Sequence, residues 1–173
     1  MKRVMPDTNV YEFILRFVEK NVFEQAVVGG RLVFYGNNLI RKELREIPKV
    51  EQQMIGGKMK SLRNALLSLY DLMVGRHHYE ITSQMEELAE KYFTVFKELG
   101  GNAAWKDLAA DFTIVACASL HNLDLLVTED AKTMTSDFAM KSYRSVNKLF
   151  GFSTPSFIRF QEFKTLLGGG KLD

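Results

Sequence analysis

The sequence predicts an α/β protein with a small, mainly parallel β-sheet and helices on its faces. Three observations carry that reading. Short β-type runs alternate with helical runs in strand–helix–strand–helix order, the signature of parallel strands joined by crossovers. The runs Val4-Met5-Pro6 and Leu125-Leu126-Val127 are continuously apolar, as strands buried on both faces are. Asp7 and Asp130 stand just past those runs, at the carboxyl edge where open α/β sheets bind ligands.

Taken in order, Arg3 to Pro6 reads as a buried strand. Val10, Phe13, Ile14, Phe17 and Val18 recur at helical spacing, with Thr8 or Asn9 as the cap and Gly29-Gly30 as the stop. Arg31 to Tyr35 is a second β-type run, closed by the turn Gly36-Asn37-Asn38. Leu39, Ile40, Glu43, Leu44 and Ile47 then make a helix limited by Pro48. From Val50 to Leu99 the pattern is largely helical, with Leu62, Leu66, Leu69 and Met73 as one stripe and Met85, Leu88, Tyr92 and Phe96 as another. Tyr79-Glu80-Ile81 between them suits a short strand. A helix from about Ala104 to His121 leads into the strand Leu123 to Thr128. A further helix spans about Thr135 to Phe150, and Ser153-Thr154-Pro155 caps a last one carrying Phe157, Phe160, Phe163 and Leu167.

At 173 residues the chain suits one compact domain. Its 46% hydrophobic and 25% charged content argues against disorder. No apolar run approaches the roughly 20 residues that cross a bilayer, and Met1-Lys2-Arg3 leads straight into a strand, leaving no room for a signal peptide. The lone Cys117 excludes an internal disulfide framework. A cytoplasmic protein is therefore expected. The net charge of +2 is too small to indicate nucleic-acid binding by itself. Acids gathered in one pocket would nevertheless leave the remaining surface more basic than the total suggests.

Four acids sit where an acid is hard to justify structurally: Asp7 and Asp130 at strand ends, Glu43 and Asp111 within apolar helical stripes. Carboxylates in such places repel one another unless a cation lies between them, so a divalent-metal site is the economical reading. Each acid also has a plain structural role open to it. Asp7 and Asp130 can cap helices, Glu43 can face solvent, and Asp111 can pair with Lys106. Asp107, one turn earlier on the same face, competes with Asp111 for the site. His77-His78 lacks the further ligands that zinc requires and reads as a surface turn.

The ordered set Asp7-Thr8-Asn9, Glu43-Leu44, Asp111 with Ile114-Val115-Ala116, and Thr128-Glu129-Asp130 resembles the PIN-domain ribonucleases, including the prokaryotic VapC-like members. The resemblance spans essentially the whole chain. It implies a three-layer α/β/α sandwich in which Asp7, Glu43, Asp111 and Asp130 hold Mg²⁺ or Mn²⁺ and hydrolyse single-stranded RNA. It further implies a toxin paired with an antitoxin protein, or an RNA-processing factor, and assembly into a homodimer or higher oligomer. In domain terms it gives one PIN-like nuclease domain over residues 1–167, with a helical extension around 50–100 and a flexible tail over 168–173. The chain departs from shorter toxin-type members in that extension, and in carrying Gly36-Asn37-Asn38 where a hydroxyl residue often follows the strand.

Asn9 and Thr128 are placed to orient the carboxylates from behind. Arg41, Lys42, Arg45, Lys106 and Lys132 are candidates for contacting RNA phosphate. Two other readings compete. A Mg²⁺-dependent phosphatase of the haloacid-dehalogenase type would want a second Asp where Asn9 stands. A PIN-like fold retained only for binding RNA or protein would be free to lose its acids.

Overall fold

The computed structural model describes residues 1–170. Strand β1 (Lys2–Pro6) lies at the centre of the sheet, and Val4 and Met5, consecutive residues pointing to opposite faces, are both fully buried. Helix α1 (Thr8–Phe17) follows at once, then α2 (Lys20–Val28), β2 (Leu32–Phe34), the short β3 (Gly36–Asn37) and α3 (Asn38–Glu46). Next come β4 (Gln52–Ile55), β5 (Lys58–Ser61), α4 (Leu62–Val74), β6 (His78–Tyr79) and α5 (Ser83–Glu98). Helix α6 (Trp105–Leu120), β7 (Leu125–Val127), α7 (Asp137–Phe150), β8 (Ser156–Ile158) and α8 (Phe160–Leu167) complete the described chain.

The main sheet has the order β2-β1-β7-β8, and every pairing in it is parallel. Helices α1, α3 and α4 pack on one another, as do α5, α6 and α7, while α2 packs on β2 and α8. The expected α/β/α architecture with a mainly parallel sheet is thus the observed one. Asn147 ties the α5–α6–α7 group together: it accepts from Tyr92 at 2.6 Å and donates to Ser119 at 3.0 Å and Thr154 at 2.9 Å. Among the described residues, no helix is long and apolar enough to cross a membrane.

Several elements differ from the expectation. Asp7, rather than Thr8 or Asn9, caps α1, its carboxylate accepting the N–H of Thr8 at 2.7 Å. The single helix expected up to Gly29-Gly30 is broken at Val18, which is extended, and Glu19 starts α2. The break turns Phe23 onto Phe34, with ring centroids 5.4 Å apart, so both segments keep apolar residues inward and periodicity alone passes over the joint.

Residues 52–61 are not helical but form an antiparallel hairpin. Its two-residue turn is Gly56-Gly57, both at positive φ (58° and 76°), the backbone twist that tight hairpins require. Ser153-Thr154-Pro155 does not begin the last helix. Ser156–Ile158 extends the sheet beside β7 instead, and α8 starts at Phe160. Gly168, Gly169 and Gly170 fold back on α8, their N–H groups bonding the carbonyls of Lys164, Leu166 and Thr165. Residues 171–173 of the expected tail lie outside the described residues.

Candidate functional site

The carboxyl ends of β1 and β7 meet where Asp7 donates its N–H to the carbonyl of Val127 at 2.8 Å. This places the Asp7 side chain, 5% exposed, above the middle of the sheet. Asn37 caps α3 by accepting the N–H of Ile40 at 3.0 Å, and the helix then buries Ile40 and Leu44 and turns Glu43 toward α1. Helix α6 is buried along most of its length and carries Asp111 near its middle. After β7 the chain makes a tight turn in which Asp130 accepts the N–H groups of Lys132 and Thr133, each at 2.8 Å.

These paths converge. Asp7, Glu43, Asp111 and Asp130 line one open cavity of about 310 Å³, together with Thr8, Asn9 and Glu12, and Ile47 and Leu66 form its apolar wall. Among the described residues, no Lys, Arg or His lines it. Asp107 is exposed and takes no part in the lining, so Asp111 is the acid that α6 presents.

Hydroxyls and amides hold the carboxylates in place. Thr128 and Asn9 both donate to Asp7 Oδ2 at 3.0 Å. Thr8 donates to Glu43, and the Thr133 hydroxyl lies between Asp111 and Asp130 within hydrogen-bond reach of both. The sequence points to Thr8 only as a cap and as part of Asp7-Thr8-Asn9, and does not point to Glu12 or Thr133. Thr8 and Glu12 share an α1 face with i,i+4 spacing, and Thr133 follows Asp130 at the distance of a side-chain-capped turn; both are readable once the acids are known.

Burial pushes Asp7 up to about 6, and nearby Glu43 and Asp130 add to the rise against the opposing bonds from Thr8 and Thr128. Burial likewise pushes Asp111 up to about 7, with Asp7, Asp130 and Glu43 contributing in the same direction. Glu43 is raised, again chiefly by burial. Asp130 goes the other way. Burial opposes its charge but is outweighed by the Thr133 hydroxyl, the N–H groups of Thr133 and Lys132, and the more distant Arg159. One anchored carboxylate thus sits among acids that resist ionising together.

An all-oxygen donor set with no competing cation suits a hard divalent ion such as Mg²⁺ or Mn²⁺. The side chains are not drawn in to ligating distance. Among the described residues, no group of three or more His, Cys, Asp or Glu has the geometry to hold an ion as it stands. Hydroxyls of Thr8, Thr128 and Thr133 hold oxygens of these carboxylates. The donor chemistry fits the ion.

The cations proposed for RNA lie elsewhere. Arg41 is bonded by two nitrogens to Asp71, at 3.0 and 3.1 Å, and shares with Arg45 a separate polar pocket that includes His78 and Glu80. Lys42 lies 4.0 Å from Glu46, and Lys106 and Lys132 are exposed. None of the five lines the acidic cavity.

The fold matches solved structures closely in extent. VapBC2 from Rickettsia felis, solved bound to a DNA fragment from their promoter, aligns over 91% of this chain and 98% of that one, with a TM-score of 0.57 at 11% identity. DNA-bound VapBC from Salmonella typhimurium aligns over 92% and 99%, with a TM-score of 0.55 at 12% identity. VapBC-1 from nontypeable Haemophilus influenzae gives 0.55 at 12% identity over 92% and 98%. Comparison of the sequence with protein-family models gives no match, and comparison with curated proteins gives none. The likeness defines the fold of the chain, which is PIN-like.

Proposed function

We propose that the protein is a divalent-metal-dependent ribonuclease that hydrolyses phosphodiester bonds of single-stranded RNA. The observation that carries this reading is the single cavity lined by Asp7, Glu43, Asp111 and Asp130 with no cation among its lining residues. The PIN-like fold shared with the VapBC structures supports it.

Asp7, Asp111 and Asp130 would hold Mg²⁺ or Mn²⁺. When bound, the ion would supply charge neutralisation at the phosphate and a lowered pKa for water in the cavity. Glu43, held by Thr8 on α1, would orient the attacking water and take its proton. Water would add at phosphorus, and the bond to the 3′ oxygen would break with its electron pair leaving on that oxygen, which takes a proton from solvent. Thr128 and Asn9 keep Asp7 Oδ2 in a fixed direction, so the principal ligand need not reorganise during the reaction. Asn9 also weakens the phosphatase reading, because an amide engaged with Asp7 supplies no acidic proton to a leaving group.

An antitoxin-type protein is the proposed partner. An apolar groove of about 1020 Å³, walled by Leu15 of α1 and the adjoining Val18, Leu69 and Leu72 of α4 and Ile55 of the hairpin, would suit the apolar face of a partner's helix. The direct test of the enzyme reading is cleavage of a generic single-stranded RNA by the purified chain with Mn²⁺, run beside p-nitrophenyl phosphate. RNA hydrolysis alone supports the nuclease. Ester hydrolysis alone would favour the phosphatase, and activity on neither would favour a binding role.

A further inference from the structure

Asn9, Phe13 and Phe17 follow one another at i,i+4 spacing and form a stripe on α1 that begins at the acidic cavity, which Asn9 and Glu12 line. Phe13 is 36% exposed and Phe17 54% exposed, unusual for rings this large. They are not loose. Their centroids lie 6.2 Å apart in a stacked arrangement, and each rests on Phe160, at 5.3 and 6.3 Å. Phe160 is buried and acts as a floor that keeps the two upper rings out of the core.

The platform is fastened to the cavity rim. The N–H of Phe160 donates to Glu129 at 2.6 Å, the N–H of Glu129 donates to Asn9 at 3.3 Å, and Asp130 is the next residue. Arg16 and Arg159 precede Phe17 and Phe160 in the chain, with side chains about half exposed and bonded to Glu12 and Glu129. Rigid exposed aromatics with guanidinium groups beside them are the elements that grip single-stranded nucleic acid, the rings by stacking on bases and the cations at phosphate.

We infer that Phe13 and Phe17 form a base-stacking subsite for the single-stranded RNA that enters the acidic cavity. The inference rests on the nuclease reading and extends it. Phe13 and Phe17 lie ~6 Å and ~12 Å along α1 from Asn9, within reach of the nucleotides next to the bond being cut. A protein partner is less well served. The two rings offer on the order of 200 Å², given that a whole aromatic side chain buries 150–250 Å². A stable interface needs roughly 800 Å² per partner.

The test uses the full chain in an Asp7→Asn background with Mn²⁺, so that RNA is not consumed. Anisotropy would compare a labelled ten-nucleotide oligoadenylate with an abasic ribose-phosphate oligomer of equal length. Phe13→Ala/Phe17→Ala is expected to weaken the oligoadenylate about tenfold or more while leaving the abasic oligomer unchanged. Phe17→Trp should retain binding, and its added indole emission should be quenched by the RNA. If the alanine pair melts early, Phe13→Leu/Phe17→Leu keeps the apolar contact while removing the rings, with the same expected loss.

Equal effects on the two oligomers, or none, overturn the subsite. So does conversion of a dimer to a monomer in sedimentation with RNA affinity unchanged, which would make the patch a protein interface. Cleavage by the unmodified chain is measured in parallel. A chain that cuts RNA but binds it equally well without the rings overturns the subsite alone. A chain that neither cuts nor binds overturns the nuclease reading with it.

Discussion

Thr128 donates its hydroxyl hydrogen to Asp7 Oδ2 at 3.0 Å, and the same hydroxyl oxygen accepts the N–H of Asp130 at 3.0 Å. One buried side chain therefore couples the acid that follows β1 to the acid that follows β7. Neighbouring parallel strands deliver two carboxylates to one edge, and the hydroxyl ties the side chain of Asp7 to the backbone of Asp130.

Asp7→Asn should leave the protein folded and abolish Mn²⁺-dependent RNA cleavage. In EDTA at pH 8 its melting temperature should equal or exceed that of the parent, because a buried charge pushed up to about 6 has been removed. The gain is on the order of 1 kcal/mol, since one carboxylate oxygen becomes an NH₂ group and Thr128 and Asn9, which both donate to Oδ2, must turn to accept from it. Full cleavage by this variant would remove Asp7 from the site.

Stability without divalent metal should fall as pH rises from about 4 through about 7. Asp7 and Asp111 hold their protons in the folded chain up to about 6 and about 7, whereas the unfolded chain releases them near 3.8. The folded state binds more protons in that window, so the stabilisation present at its acidic end is lost by its alkaline end. Asp130, lowered in the folded chain, has the opposite sign, and its contribution is lost on strong acidification. Adding Mn²⁺ at pH 8 should restore stability by more than it does at pH 5. Urea denaturation across this range, with and without Mn²⁺, measures both effects; a flat metal-free profile would contradict the raised acids.

Thr133→Val keeps side-chain volume while deleting the hydroxyl between Asp111 and Asp130. The variant should bind Mn²⁺ roughly 10-fold more weakly, as loss of a carboxylate-orienting group usually does. Isothermal titration calorimetry gives the comparison. An unchanged affinity would mean that the hydroxyl has no part in orienting the ligands.

Gly36→Ala should destabilise the fold by about 1–3 kcal/mol in urea melts, the usual effect of overpacking a core. An added methyl would land on the ring of Tyr70, which is buried and bonded to the carbonyl of Asn37 at 3.1 Å and to His78 at 2.7 Å. Because Asn37 caps the helix that carries Glu43, cleavage should decline as well.

Much of the fold is legible in the residues alone. Alternating apolar runs announced the crossovers, and the acids stood out because burying a charge is costly enough to demand a reason. Asn9 and Thr128 were readable as orienting groups from their closeness in sequence to Asp7 and Asp130. The joint between α1 and α2 was not, because hydrophobic spacing continues across it. The hairpin at 52–61 carried its signal in Gly56-Gly57, but the strong helical stripes that follow masked it. Ser156–Ile158 became a strand because β7 offered an open edge there, a fact belonging to its neighbour.

The residue order alone is enough to specify a parallel α/β sheet and four acids with no plain structural employment, since both follow from local patterns of burial and charge. Folding alone brings Asp111 rather than Asp107 to the others, adds Glu12 to the cavity, sets Thr133 between Asp111 and Asp130, and pairs Arg41 with Asp71. Those choices depend on helix rotation and on contacts between residues far apart in the chain, and a hydrogen bond or an electrostatic repulsion exists only once folding has set the distance.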